Sequence, residues 1–195
     1  YYYMTFNYPN YVPNYGNLTE KIMKEFILNY YHKQTLENKE IISLIASNDI
    51  TKPLYFWQLY SILGETYIED LIRLFYTKLF NDNKNKWFSD EFIEIGSIEY
   101  HVRGQKKFWL DIMGGGEYYT GGEKKLHNYH KLVKNIMTIE GAGLWMKHMN
   151  NALEEMKYNE DVRVRKCMDV FLKYFMTKYA IEFDFNFFSI MKTKL

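Results

Sequence analysis

The 195-residue chain has one cysteine, Cys167, and three prolines, all at or before Pro53. A single cysteine excludes an internal disulfide and fits an intracellular setting. Its place in an apolar helical pattern reads as a buried structural thiol rather than a reactive one. The lack of proline from Leu54 onward leaves room for uninterrupted helices. No apolar run approaches the ~20 residues that span a bilayer, so no transmembrane segment is expected. Charge of either sign is not in excess: 25 Lys and Arg face 24 Asp and Glu, a formal net charge of +1. Without a basic field or a compact Lys/Arg run, nucleic acid is not an expected partner. Several chemistries also lack their residues. There is no Cys/His zinc cluster. Gly114-Gly115-Gly116 lacks the Lys-Ser/Thr that a phosphate loop requires. There is no Gly-x-Ser-x-Gly elbow, and the dispersed acidic residues form no catalytic pair. Neither a hydrolase nor a transferase is expected.

Aromatic residues are plentiful instead, with 19 Tyr and 14 Phe. Residues 1–17 are rich in Tyr, Asn and Pro; Pro9 and Pro13 prevent regular helix. This segment cannot build its own core, and its tyrosines read as contact groups for a protein partner. The chain starts at Tyr1 rather than Met. The expectation is a mature or partial chain, with a removed targeting segment favouring the mitochondrion over the cytoplasm.

Residues 18–31 read as a helix with Ile22, Phe26, Ile27 and Tyr30 on one face, and residues 36–46 as a second, shorter one. Leu54 to Ile62 reads as an aromatic helix that Gly64 breaks. Thr66 and Glu69 have capping-box spacing for the next helix, which turns Ile68, Leu71, Ile72, Phe75 and Leu79 inward. Trp87-Phe88 follows, then a connection over 89–98 and a helix from about Ile98 to Met113. Two glycine clusters, Gly114-Gly115-Gly116 and Gly121-Gly122, mark a loop. His127 and His130 come just after it. Trp145 opens a new amphipathic pattern with Met149, Ala152, Leu153 and Met156. A last helix begins after Asn159-Glu160-Asp161 and carries Val164, Met168, Phe171, Leu172 and Phe175 inward. From Ile181 the pattern becomes period two: Ile181, Phe183, Phe185 and Phe187 alternate with polar residues. That reads as extended chain, which needs a cover; residues 181–188 are the second expected contact with a protein partner.

The middle of the chain resembles the truncated haemoglobins, most closely the group II class. Phe108, Gly114-Gly115, Tyr118-Tyr119, Leu126-x-x-x-His130 and Trp145-Met146-x-x-Met149-x-x-Ala152 stand in that family's order. Upstream, Leu63 to Tyr67 leads into Leu71 to Tyr76, similar to the family's first long helix with its Phe-Tyr pair. The His130-to-Trp145 interval is slightly longer than usual, and Lys131-Leu132-Val133 replaces a Pro-Phe often found there. The likeness covers about residues 57–178. It implies an all-α truncated globin fold, a 2-on-2 helical sandwich over 54–179. An N-terminal extension of extended chain and short helices (1–53) would precede it, and an aromatic tail (180–195) would follow.

The resemblance further implies haem b, with His130 as the iron ligand and its second ring nitrogen donating to a carbonyl or another acceptor. Tyr76, Gln105 and Trp145 would offer donors to a bound diatomic gas, and Phe88 would pack at the haem edge or serve only as core. His101 and Gln105, four apart, share a face. That face either reaches over the ligand side or lies in solvent beside Arg103, Lys106 and Lys107; His101 is also a candidate sixth ligand. His127 reads as an alternative ligand, a propionate contact or a solvated residue. Such a donor set suits tight oxygen binding, nitric oxide dioxygenation or peroxide chemistry better than oxygen delivery. The competing expectation is a globin-fold accessory subunit of a large, possibly mitochondrial, complex, with or without haem, assembled through its two tails.

Overall fold

A computed structural model describes residues 11–117, 119, 120 and 122–186. Tyr118 and Gly121 of the expected loop, residues 1–10 of the expected partner segment and residues 187–188 of the tail lie outside the described residues. The described chain is helical throughout, with no paired strands. Its helices are α1 (Thr19–Tyr30), α2 (Lys39–Ile42), α3 (Leu59–Phe80), α4 (Lys86–Ile95), α5 (Ile98–Met113), α6 (Gly122–Leu132), α7 (Ile139–Glu155) and α8 (Arg163–Glu182). Three 3-10 turns connect them, at Lys33–Glu37, Phe56–Gln58 and Lys134–Ile136. Among the described residues no helix is long and apolar enough to cross a membrane.

The all-α sandwich follows from two helix pairs. α3 packs chiefly on α5 and α7. Its stripe of Leu71, Ile72, Phe75 and Leu79 is fully buried, as the 3.6-residue period of those positions requires. α8 crosses below, where Phe171 meets Trp109 and Phe175 meets Phe108 of α5 with ring centroids 5.1 and 5.2 Å apart. Ala142 of α7 packs with Met176 and Ala180 of α8. α5 begins at Ser97, whose hydroxyl accepts the Tyr100 N–H at 3.2 Å. It ends on Gly114 at φ 87°, where a Cβ would also lie 2.4 Å from the Trp57 carbonyl oxygen.

Several local readings change in the structure. Residues 89–95 are helical rather than a connection. Phe88 and Phe92, one turn apart, both face the core, and Gly96 ends the helix. The expected 36–46 helix shrinks to α2, because Gln58 and Trp57 side chains take over its carbonyls. Gln58 Nε2 donates to Ser43 O at 3.0 Å, and Trp57 Nε1 to Ile41 O at 2.8 Å. Gly64, at φ 69°, ψ 176°, breaks the helical path within α3 as expected, and the chain is helical on both sides of it. α7 starts at Ile139 under a Thr138 cap, so Trp145 sits well inside it. Ile181 and Glu182 complete α8 rather than starting an extended tail.

The N-terminal segment is seated on the chain's own core. A Cβ at Gly64 would fall 2.4 Å from the Tyr11 ring, so Tyr11 occupies the space that the kink leaves. The backbone N–H of Asn14 bonds to Gly114 O at 2.9 Å. The main anchor is Asp111 near the end of α5, which is 0% exposed. Its carboxylate accepts the N–H groups of Asn17 (2.8 Å), Leu18 (2.7 Å) and Tyr119 (3.0 Å). Thr19 donates its hydroxyl to the Asp111 carbonyl. A buried carboxylate is tolerated only when its lone pairs are met by donors, and here the donors come from two distant segments. The site also lies at the start of α1, where the helix dipole favours negative charge.

Asp111→Ala would leave those three N–H groups buried and unpaired, costing roughly 3 kcal/mol or more of stability. Urea denaturation measures the loss, and limited proteolysis would show faster cleavage within residues 11–53. A variant within about 0.5 kcal/mol of the parent, the range of an inconsequential surface change, would contradict the anchor.

Candidate functional site

The helices line an apolar cavity of about 80 Å³. That is below the roughly 300–1,000 Å³ typical of cofactor and small-molecule sites, so a macrocycle would enter only as the lining rings move apart. Tyr76 of α3, Phe88 and Phe92 of α4, and Gln105, Phe108 and Trp109 of α5 line one side. Tyr129 and His130 of α6, Trp145 of α7, and Phe175 and Tyr179 of α8 line the other, and Phe185 stands beyond α8. Five of the six residues expected around the cofactor thus meet here: His130, Tyr76, Phe88, Gln105 and Trp145. His101 is the one that does not line the cavity.

His130 is held by aromatic neighbours. Its ring centroid is 4.2 Å from that of Tyr179 and 5.6 Å from that of Tyr129. Its Nδ1 is buried and has no hydrogen-bond partner, so the expected carbonyl behind the ring is absent. Burial lowers the His130 pKa to about 4, with His127 nearby adding to the shift. The imidazole is therefore neutral at neutral pH and retains a lone pair suited to a metal. An unpaired buried nitrogen costs on the order of 1–3 kcal/mol, and a metal held by the other ring nitrogen would leave that cost in place. Among the described residues no three His, Cys, Asp or Glu side chains converge to hold a metal ion. A metal at His130 would draw its remaining ligands from a macrocycle rather than from the protein. His127 turns elsewhere and pairs with Glu182 at the end of α8.

Beside His130, through its neighbour Tyr129, lies a set of hydrogen-bonded rings. His101 Nε2 is 2.8 Å from the Phe92 carbonyl oxygen, which can only accept, so Nε2 carries the proton. Nδ1 must then accept, and the Tyr129 hydroxyl at 3.1 Å donates to it. The Tyr76 hydroxyl lies near enough to that of Tyr129 for each phenol to affect the other's ionisation. Burial drives both phenol pKa values up and that of His101 down, so all three groups are neutral. His101 stacks on Tyr76 at 5.0 Å with a 21° angle between rings. Its two nitrogens are committed to protein, which removes it as a direct iron ligand in this arrangement and makes it a support for Tyr76. His101 and Gln105 share a face of α5, but the Phe92 carbonyl and Tyr129 hold the His101 ring, and only Gln105 reaches the cavity.

The remaining walls are fixed by packing. Phe88 is 0% exposed, and its ring lies 14° from parallel to that of His148. His148 Nε2 sits 2.9 Å from Asp82 Oδ2. Trp145 packs against Phe75 at 4.8 Å. Cys167 is buried, and its thiol pKa is pushed up by that burial, which keeps it inert. Sequence reasoning missed Tyr129, Tyr179 and Phe185. Tyr179 extends the Phe171-Phe175 stripe by one turn and could have been found by that spacing. Tyr129 carries no such signal, being one of 19 tyrosines.

The buried neutral His130 has a consequence for the apoprotein. Its folded pKa lies below the ordinary value of 6.5. The stability it contributes is full above about pH 6.5 and is lost as pH falls toward 4, because the unfolded chain takes the proton first. Between pH 7 and pH 5 this amounts to roughly 2 kcal/mol. Urea denaturation of the apoprotein at the two pH values should show that loss, reduced by about this amount in His130→Phe; an unchanged difference would contradict the neutral, buried ring.

A family model described as bacterial-like globin matches residues 58–177. No curated protein and no solved structure gives a significant match to the chain. The matched span takes in α3 to α7 and most of α8, with Tyr76, Phe88, His101, Gln105, His130 and Trp145 all inside it, while Tyr179 and Phe185 lie beyond. It covers more than half of the chain and the helices that build the cavity; as the likeness to the truncated haemoglobins implied, the chain belongs to the bacterial-like globin family.

Proposed function

We propose that this globin binds haem b in the cavity, with His130 as the iron ligand, and takes a diatomic gas on the opposite side. The observation that carries the reading is the neutral imidazole of His130 on the wall of an aromatic cavity of about 80 Å³ that lies between the helices of the matched globin span. Haem iron, when bound, supplies an electron-donating centre at which oxygen or nitric oxide can be held. The chain supplies the rest. His130 contributes its lone pair, and Phe88 and the rings of α5 and α8 exclude water from the faces. Tyr76, Gln105 and Trp145 offer O–H and N–H donors to the ligand side.

The Tyr76 hydroxyl turns about its C–O bond at small cost, and a ligand carrying negative charge attracts its proton better than a neutral phenol does. His101 keeps Tyr76 stacked in place while the hydroxyl turns. Donors preset in a dry site hold developing negative charge strongly, which supports tight oxygen binding, nitric oxide dioxygenation or peroxide chemistry rather than easy release. The accessory-subunit reading weakens on one point: residues 11–17, expected on a partner, lie on this chain's own α3 kink and α5 end.

Natively purified protein should show a Soret band that is lost or shifted in His130→Ala. Tyr76→Phe removes one hydrogen bond to a charged ligand and should speed oxygen dissociation by roughly tenfold to hundredfold. Protein supplied with hemin that shows no Soret band would overturn the reading and leave the fold serving as an assembly block.

A further inference from the structure

We infer that the cofactor site is completed by residues beyond the matched globin span: Tyr179 positions the His130 ring, and a built turn over Phe183–Phe185 closes the cavity mouth. The inference rests on the haem reading above.

The family match stops at residue 177, yet α8 runs to Glu182. Tyr179, two residues past the match, makes the nearest ring contact to His130, 4.2 Å between centroids at 59°. Phe183, one turn later, meets the same imidazole edge-on at 6.3 Å and 85°. Since Nδ1 of His130 has no hydrogen bond to fix the ring, aromatic packing is what sets its plane. Tyr179 and Phe183 therefore do the orienting that a carbonyl would otherwise do.

The chain after α8 is a specific turn, not a frayed end. Phe183 N–H bonds to Tyr179 O at 2.9 Å. Asp184 adopts the left-handed region at φ 53°, a conformation that Asp tolerates better than most residues. Phe185 N–H then reaches back to Ala180 O at 3.0 Å. That bond from the second residue past the cap to the third from the helix end is the Schellman pattern, with its accompanying apolar contact. The contact is present: Phe185 packs on the Ala142, Met176 and Ala180 cluster beside Trp145 and Met146, and lines the cavity. Glu182 meanwhile pairs with His127, one turn before His130 on α6. The helix that carries His130 and the end of α8 are thus joined by a hydrogen bond and by ring contacts, and Phe185 bridges from α8 to α7.

A side chain there would act chiefly on how fast the cofactor escapes. The test uses the full chain loaded with hemin, and follows its transfer to excess apomyoglobin. Phe185→Ser, at a half-buried position, should lose hemin roughly tenfold faster while keeping its Soret band and helical circular dichroism. Tyr179→Ala should shift the iron–histidine vibration in resonance Raman spectra, and Tyr179→Phe, which keeps the ring, should restore it. Hemin loss and the vibration unchanged in folded Phe185→Ser and Tyr179→Ala would overturn the inference while leaving the haem reading intact. A parent chain that takes up no hemin would overturn both.

Discussion

A carboxylate shielded from water holds this molecule in register. Asp111 stands at the end of α5, the helix against which α1, α3 and α8 pack and which contributes Gln105, Phe108 and Trp109 to the cavity. Its oxygens collect N–H donors from residues 17 and 18 before α1 and from residue 119 in the loop that leads to α6. One side chain therefore fixes the N-terminal segment, the end of α5 and the approach to the helix that carries His130. A buried charge of this kind has little tolerance for displacement, because each donor that moves away leaves it undersolvated. The cofactor wall inherits that rigidity.

The interior around the cavity is free of net charge by design of its burial. Three phenols, of Tyr76, Tyr129 and Tyr179, are pushed up and two imidazoles, of His101 and His130, are pulled down. Hydrogen-bond donors in such surroundings act more strongly on a charged ligand than they would in water. Several ion pairs lie at the surface. Arg73 with Glu69 and Glu99, and Lys106 with Glu65 and Glu69, span α3 and α5 at the surface. Exposed pairs of this kind add little to stability. They do mark which faces of the two helices are wet, and so which faces are left for the cavity.

Much of this was legible in the sequence. The period of Leu71, Ile72, Phe75 and Leu79 announced α3, and Ser97 and Gly114 bracket α5 as cap residues should. The likeness to the truncated haemoglobins singled out His130 and Tyr76, and both line one cavity. What escaped was set by contacts across the chain. His101 shares a helical face with Gln105, yet a carbonyl nine residues back and a tyrosine 28 residues on turn its ring away from the cavity. The alternation of Phe183 and Phe185 with acidic residues looks like a strand. It is satisfied instead by a left-handed turn at Asp184, which local pattern alone does not distinguish. α2 keeps only four of the eleven residues expected over 36–46, having lost the rest to side chains from Trp57 and Gln58, a competition invisible to any window that ends at residue 46.

Titrating the apoprotein with hemin while following tryptophan fluorescence tests the cavity most directly, since Trp109 and Trp145 both line it. A binding site between these helices predicts quenching that saturates at one hemin per chain and weakens in His130→Ala. Quenching that never saturates, or that is indifferent to His130, would contradict a cofactor site at this histidine.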